Sequence, residues 1–328
     1  MSKYRILIIH DIHVETPKGT IGWAYWRRSQ ALAKYAPEDF EVDTCQTKDI
    51  PWSDLRLYSL IFQIEYCNSQ SRPFRNKGFN GVWVVSYNSD ANRRRQYWPP
   101  VVRDADFVIV NNEHAWKNYG KIKKTCVISN GVDTDVFKPT TPISDRPHKC
   151  IFAGSSGPTK QKGWPEVFLP LEERLPSLGF DTDFRPINDI NPELVMPTQG
   201  TVDWYNDASY CLIASASEGT PNLATESVAC GCVLVSVPVG NVLEWGKSGE
   251  NCMIAERNAD AFIEALQYAR EHREHLSASG MQTIRDEWSY GEPGNRSQYF
   301  FSLFRRLIED GPKTVPPFSF LEKHWSEI

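Results

Sequence analysis

Long hydrophobic runs are missing from this chain of 328 residues. Runs such as "RILII" and "FVIV" fall far short of the roughly 20 residues that cross a bilayer. The amino terminus also lacks the extended apolar stretch and small-residue cleavage site of a secretory signal, so a cytoplasmic protein is expected. A cysteine framework is missing too. The eight cysteines (Cys45, Cys67, Cys126, Cys150, Cys211, Cys230, Cys232, Cys252) are scattered through apolar segments, which suits reduced, packed thiols. Cys230-Gly-Cys232 has no second pair at zinc-ligand spacing, which argues against a zinc site. Two phosphate fingerprints are absent as well. No G-x-G-x-x-G follows the first apolar run, where only Gly19 and Gly22 occur, and there is no G-x-x-x-x-G-K-[ST]. Dehydrogenase and P-loop readings therefore fall.

Strong net charge is lacking, at −5, but the two halves differ. Residues 1–149 hold 22 Lys and Arg against 16 Asp and Glu, and residues 150–328 hold 14 against 25. A basic first half favours an anionic partner or surface, although a solvated basic face reads equally well. Apolar residues at 41% and charged residues at 23% describe an ordinary globular chain, and its length favours two domains of about 150 residues each.

The order of segments predicts an α/β fold. "YRILII" reads as a buried strand, "HDIHVETPKGTIG" as a long loop, and "WAYWRRSQALAKYA" as an amphipathic helix. Further strands are expected at "EVDTCQ", "SLIFQIE", "VWVVSY", "DFVIVN" and "TCVISN", the alternation of a doubly wound parallel sheet. The Pro-rich stretch 137–149 reads as a linker. A second series follows, with strands at "CIFAGSS", "DTDFRPI", "YCLIASA" and "VLVSVP" and a helix over "DAFIEALQYAREHREHL". Two Rossmann-like domains are thus expected at 1–145 and 146–294. The segment 295–328, which opens with the amphipathic "RSQYFFSLFRRLIED", is expected to go with the first domain.

The stretch "SASEGTPNLATESVACG", residues 215–231, joins a strand end to a helix. Pro221 suits the first helical position and Gly231 the stop. Ligands of open α/β sheets bind at such strand ends. The free N–H groups near Asn222 and Leu223, with the helix dipole behind them, would hold a diphosphate. Glu226 follows Asn222 by four residues and shares its face, roughly 5–6 Å deeper, a phosphate-to-ribose distance. Glu218 would stand on the sugar side. Two solvated glutamates are the plain alternative. A glycosidase pair fits poorly, because opposed carboxyls there face each other across roughly 5–9.5 Å.

"SASEGTPNLATESVACGCVLVSVPVGNVLEW" resembles the signature of glycosyltransferase family 4, with its E-x7-E spacing, and "CVISNGVDTDVFKP", "ADFVIVNNEHAWKNYG" and "KGW" at 162–164 resemble further segments of that family in the same order. The likeness covers roughly residues 100–270. It implies the GT-B architecture: two Rossmann-like doubly wound domains facing a cleft, with the final helix crossing back to the first domain. It also implies retaining transfer from a nucleotide-diphosphate sugar such as a UDP- or GDP-sugar, without cofactor or metal. By the resemblance Glu226 binds the donor ribose, Glu218 lies against the donor sugar, Lys162 meets the diphosphate, and Gly219, Thr220, Pro221, Asn222 and Leu223 offer backbone N–H groups.

The chain departs from the family pattern in two places. Ser155 stands where the family has an Arg before its K-G, with Lys160 as an additional cation; a Lys only partly replaces a bidentate Arg clamp. Tyr87 and Asn88 stand where many relatives have a His. Around the first strand end, His13 is a candidate to orient an acceptor hydroxyl, and Gly22 to admit the donor phosphates closely; an exposed polar loop and a helix-start Gly are the plain alternatives. The two "DTD" triplets, Asp133–Asp135 and Asp181–Asp183, read as incidental. Residues 71–100 interleave basic residues, Arg93 and Arg94 among them, with aromatics. That mixture suits an anionic acceptor or stacked bases, and equally a solvated loop over an aromatic core. The acceptor thus stays open among a glycan, a lipid-linked sugar and a modified base in DNA. A non-catalytic sugar- or nucleic-acid-binding relative is the third reading.

Overall fold

The computed structural model describes residues 3–10, 13–16, 19–22, 24–64, 74–87, 102, 104–113, 116, 124–155, 161–187, 198–315 and 318–319. The chain divides into two compact units. One comprises Met1–Val14, Gly22–Gly131 and Asn295–Ile328, the other Glu15–Ile21 and Val132–Gly294.

The first unit is built on strand β1 (Tyr4–His10), which lies parallel between β4 (Phe40–Gln46) and β5 (Leu60–Gln63). Ile6 stands opposite Val42 on one side and Leu60 on the other. The sheet continues through β6 (Val82–Tyr87), β7 (Phe107–Val110), β8 (Thr125–Val127) and a final two-residue strand, Phe318–Ser319, all parallel. β5 and β7 are buried at every position, as expected for strands covered on both faces. Residues 10–22, expected to be a loop, contain instead two short paired strands, β2 (His13–Thr16) and β3 (Gly19–Gly22). The β-branched Val14, Thr16, Thr20 and Ile21 favour that conformation. Helix α1 (Ala24–Lys34) follows.

The helix Arg296–Glu309 belongs to this first unit. Phe300, Phe304 and Leu307 recur at helical spacing on its buried face, and the Phe304 ring lies 5.2 Å from Phe62 of β5. Phe301 packs 4.9 Å from Phe40, beside a bidentate pair between Arg305 and Asp39.

The second unit carries a five-stranded parallel sheet in the order β10-β9-β11-β12-β13. Its strands are β9 (Lys149–Ser155), β10 (Asp181–Ile187), β11 (Tyr210–Ile213), β12 (Val233–Ser236) and β13 (Met253–Ile254). A wide turn, Trp164–Phe168, and helix α2 (Leu169–Arg174) follow β9. Then come α3 (Thr198–Asn206), α4 (Asn222–Ala229), the single turn α5 (Val242–Trp245), α6 (Ala259–Glu271) and α7 (Arg273–Thr283). The helix expected over 260–276 is broken at His272, whose φ of −111° ends α6. The main segment of the second unit runs from Val132 to Gly294, so the Pro-rich stretch 137–149 lies within it. Phe137 and Arg146 of that stretch are buried. The seven cysteines among the described residues are free thiols, and all but Cys45 are buried. No described helix is long and apolar enough to cross a membrane.

Candidate functional site

The strand order of the second unit reverses between β9 and β11, the edge at which open parallel sheets bind ligands beyond their carboxyl ends. Three turns converge there, following β9, β11 and β12. The Ala216 N–H donates to Gln161 O at 2.7 Å, tying the second turn to the first, and the Asn241 N–H donates to Gly219 O at 3.1 Å, tying it to the third. Two glycines permit this close stitching. Gly163 has φ +83°, and a Cβ there would stand 2.7 Å from Ala214 O. Gly240 has φ +55°, and a Cβ there would stand 2.5 Å from Gly219 O. Both positions combine a left-handed backbone with a contact that no side chain could survive. Arg257 braces the same corner, its Nε donating to Ala214 O at 2.8 Å while its guanidinium pairs with Glu166.

On this scaffold Lys162 and Glu218 meet in an ion pair, although they lie in different turns. The lysine stem runs past Gly154 of β9, its Cγ 3.5 Å from where a Cβ on that glycine would be. The turn continues through Gly219 and Thr220 into α4. Pro221, expected as the first helical residue, is the residue before it, with extended φ −70° and ψ 95°. Asn222 therefore opens the helix, which has no side-chain cap and no acidic residue in its first turn. An uncapped N-terminus at a strand-order reversal presents N–H donors and the positive end of a dipole to whatever binds there. The Asn222 Oδ1 and both amide atoms of Asn241, whose side chain is fully buried, make no hydrogen bond among the described residues. Orphaned polar atoms of this kind are rare in native proteins, and here they flank one turn.

Glu226 lies one helical turn further along α4 and is 5% exposed. The hydroxyl of Tyr205, from α3, donates to its Oε2 at 3.0 Å. Tyr205 and the residue that ties these two helices together, Arg146, were not legible as site residues in the sequence. Arg146 is 4% exposed. Its guanidinium donates to the carbonyls of Tyr205 (3.2 Å) in the last turn of α3 and Ala208 (3.1 Å) just beyond it, and to Cys230 O (2.7 Å) at the end of α4, and also to Thr141 O and Asn206 Oδ1. Burial lowers the Arg146 pKa from its usual value, with the neighbouring Cys232 and Cys230 opposing that shift. The Cys232 thiol, pushed up to about 12 by burial, donates to Tyr205 O at 3.1 Å.

The other expected site residues are placed as follows. Ser155 ends β9, Tyr87 ends β6, His13 begins β2 and Gly22 ends β3. Lys160, Asn88, Arg93 and Arg94 lie outside the described residues. Neither "DTD" triplet joins the converging turns. Asp183 is held by Arg185 and by Trp204 Nε1, whose bonds lower its pKa, and Asp133 Oδ1 accepts from the Asp135 N–H.

Residues 192–272, which include the turn after β11 and all of α4, match the family described as Glycosyl transferases group 1. No curated protein sequence matches the chain significantly. Many solved structures share its fold. The catalytic domain of starch synthase IV from Arabidopsis thaliana, bound to ADP and acarbose, superposes with a TM-score of 0.65 at 12% identity, over 94% of this chain and 100% of that one. An Anabaena protein, HepE, in complex with UDP and glucose gives 0.62 at 14% identity, over 92% and 99%. A sucrose-phosphate synthase from Thermosynechococcus elongatus gives 0.61 at 14%, over 94% and 100%. Two parallel-sheet α/β units of this kind match those of the GT-B fold. Residues 192–272 are thus similar to the glycosyl transferases group 1 family, and the chain has the GT-B fold.

Proposed function

We propose that the protein is a retaining glycosyltransferase of family 4 that moves a hexose or pentose from a nucleotide-diphosphate sugar to an acceptor hydroxyl, without a metal. The observation that carries this reading is the uncapped start of α4, with Glu218 and Lys162 paired on one side and buried Glu226 on the other. A diphosphate at that start would receive the N–H groups of Asn222 and Leu223 and the positive end of the helix. The ribose would reach Glu226, and the sugar Glu218. Structures of similar fold hold UDP and glucose, or ADP and acarbose, which suits a donor of this class.

Transfer creates negative charge on the departing diphosphate. Fixed N–H dipoles stabilise it without reorganisation, and Lys162 adds a full charge once it leaves Glu218. His13 stays a candidate to orient the acceptor. With Ser155 in place of an arginine, the charge on the diphosphate falls to Lys162, with Lys160 assigned a supporting part. The excess of basic residues in 1–149 favours an anionic acceptor, for which Arg93, Arg94, Tyr87 and Asn88 are the candidate contacts. The direct test is a thermal-shift screen of UDP-, GDP-, ADP- and TDP-sugars, since a bound donor stabilises by mass action. One should raise the melting temperature in a concentration-dependent way, and transfer should survive EDTA. A flat response to all four would refute the reading, and loss of transfer with EDTA would refute metal independence.

A further inference from the structure

We propose that Tyr205 is a positioning residue through which the protein recognises the ribose of its donor, an inference that rests on the assignment of Glu226 to that ribose. A glutamate on a short helix has three rotatable side-chain bonds. Selecting between a ribose and a deoxyribose requires that its oxygens already stand where two sugar hydroxyls will arrive. Glu226 is 5% exposed, and the phenolic hydroxyl of Tyr205 donates to its Oε2 at 3.0 Å.

Tyr205 is itself held firmly. Its ring packs 5.5 Å from Trp204 and 6.1 Å from Phe137. Trp204 is fixed in turn by Asp183 at 2.7 Å and by the Arg185 guanidinium over its ring. The backbone beneath is gripped twice, since Arg146 and Cys232 both donate to Tyr205 O. The same Arg146 holds Cys230 O, so one guanidinium sets the carboxyl end of the helix that carries Tyr205 against that of the helix that carries Glu226. Donor and acceptor of the Tyr205–Glu226 bond thus sit on two elements clamped at a common point. A flexible acid is thereby held in one orientation, the one in which we infer that it meets the ribose hydroxyls.

The experiment measures binding of UDP, ADP and GDP by calorimetry and takes the best binder together with its 2′-deoxy and 3′-deoxy forms. The ratio of ribo to deoxy affinity is compared in wild type, Tyr205→Phe and Glu226→Gln. Phenylalanine keeps the ring packing and removes only the hydroxyl. The expected result is a ratio lowered by about three- to tenfold in Tyr205→Phe, the worth of one hydrogen bond. The ratio should approach unity in Glu226→Gln. A tyrosine serving packing alone would lower the melting temperature and weaken every nucleotide equally, leaving the ratio untouched; that outcome overturns the inference and leaves the Glu226 assignment standing. An unchanged ratio in Glu226→Gln, or no binding of any nucleoside diphosphate, overturns both. If Tyr205→Phe is unstable, the same titrations in trimethylamine oxide, which favours the compact state, supply the ratio.

Discussion

Lys162 has two claimants, the Glu218 carboxylate and the diphosphate assigned to the start of α4, and a single substitution separates them. Glu218→Gln removes the negative charge while keeping size and hydrogen-bonding capacity. The pair is partly shielded, with side-chain exposures of 29% and 16%. Its strength therefore lies near the upper end of what exposed pairs contribute, about 1 kcal/mol after desolvation and screening. A free nucleoside diphosphate must break the pair to recruit Lys162. Freed of that cost, it should bind Glu218→Gln about fivefold more tightly than wild type. A nucleotide sugar should behave in the opposite sense, because it also loses the carboxylate that faces its hydroxyls. Isothermal titration with UDP, ADP and GDP, then with the matching nucleotide sugars, reads both effects. Weaker or unchanged binding of the free diphosphate would refute the reasoning, since Lys162 would then not be shared. Raising the salt concentration in wild type should weaken the pair and the diphosphate contact together, so the comparison belongs at one fixed ionic strength.

Other perturbations follow from the same geometry. Glu226→Ala should weaken donor binding by about 1.5–3 kcal/mol per charged hydrogen bond lost, while acceptor affinity holds; an unchanged donor titration would reject its role. Arg146→Ala leaves the carbonyls of Tyr205, Ala208 and Cys230 short of a buried donor, and should destabilise the second unit by roughly 3–5 kcal/mol in urea unfolding; a loss below about 1 kcal/mol would show that water replaces it readily. Gly240→Ala puts a methyl group against Gly219 O at a left-handed φ, and should cost about 1–3 kcal/mol and displace the turn that carries Glu218, seen as weaker donor binding. Burial, with Arg273 and Arg270 nearby, holds the His148 pKa below its usual value. The unfolded chain then takes up the proton first, so stability should fall as pH drops through about 6.5 toward the lower folded value. Thermal unfolding at pH 7.5, 6.5 and 5.5 should show this loss, and His148→Asn should reduce it; an equal loss in both would clear the histidine.

The elements legible in the sequence are those whose residues speak locally. β5 and β7 announce themselves as short apolar runs, β7 rich in β-branched residues, and the start of α4 as a strand end followed by Gly219, Thr220 and Pro221. The E-x7-E spacing drew attention to both glutamates. The elements that stayed hidden depend on distant partners. Arg146 sits among prolines and polar residues and reads as a solvated charge, because backbone carbonyls supplied by α3 and α4 satisfy it, and a sequence does not display its carbonyls. Tyr205 lies in "DWYND", with no spacing that links it to Glu226, 21 residues away. The contact of Gly240 with Gly219 likewise exists only once β11 and β12 stand side by side. The β2 and β3 pair was missed because Pro17, Lys18 and Gly19 dominate a short stretch and read as loop.

The placement of helix Arg296–Glu309 bears on how the protein is made. During synthesis from the amino end, every strand of the second unit has emerged once Ile254 leaves the ribosome, and its helices by Thr283. The first unit, begun earliest, must wait for Phe300, Phe301 and Phe304 to cover Phe40 and Phe62. The later-translated half is therefore able to finish first. A nascent chain arrested near residue 290 would display a bare aromatic face to chaperones.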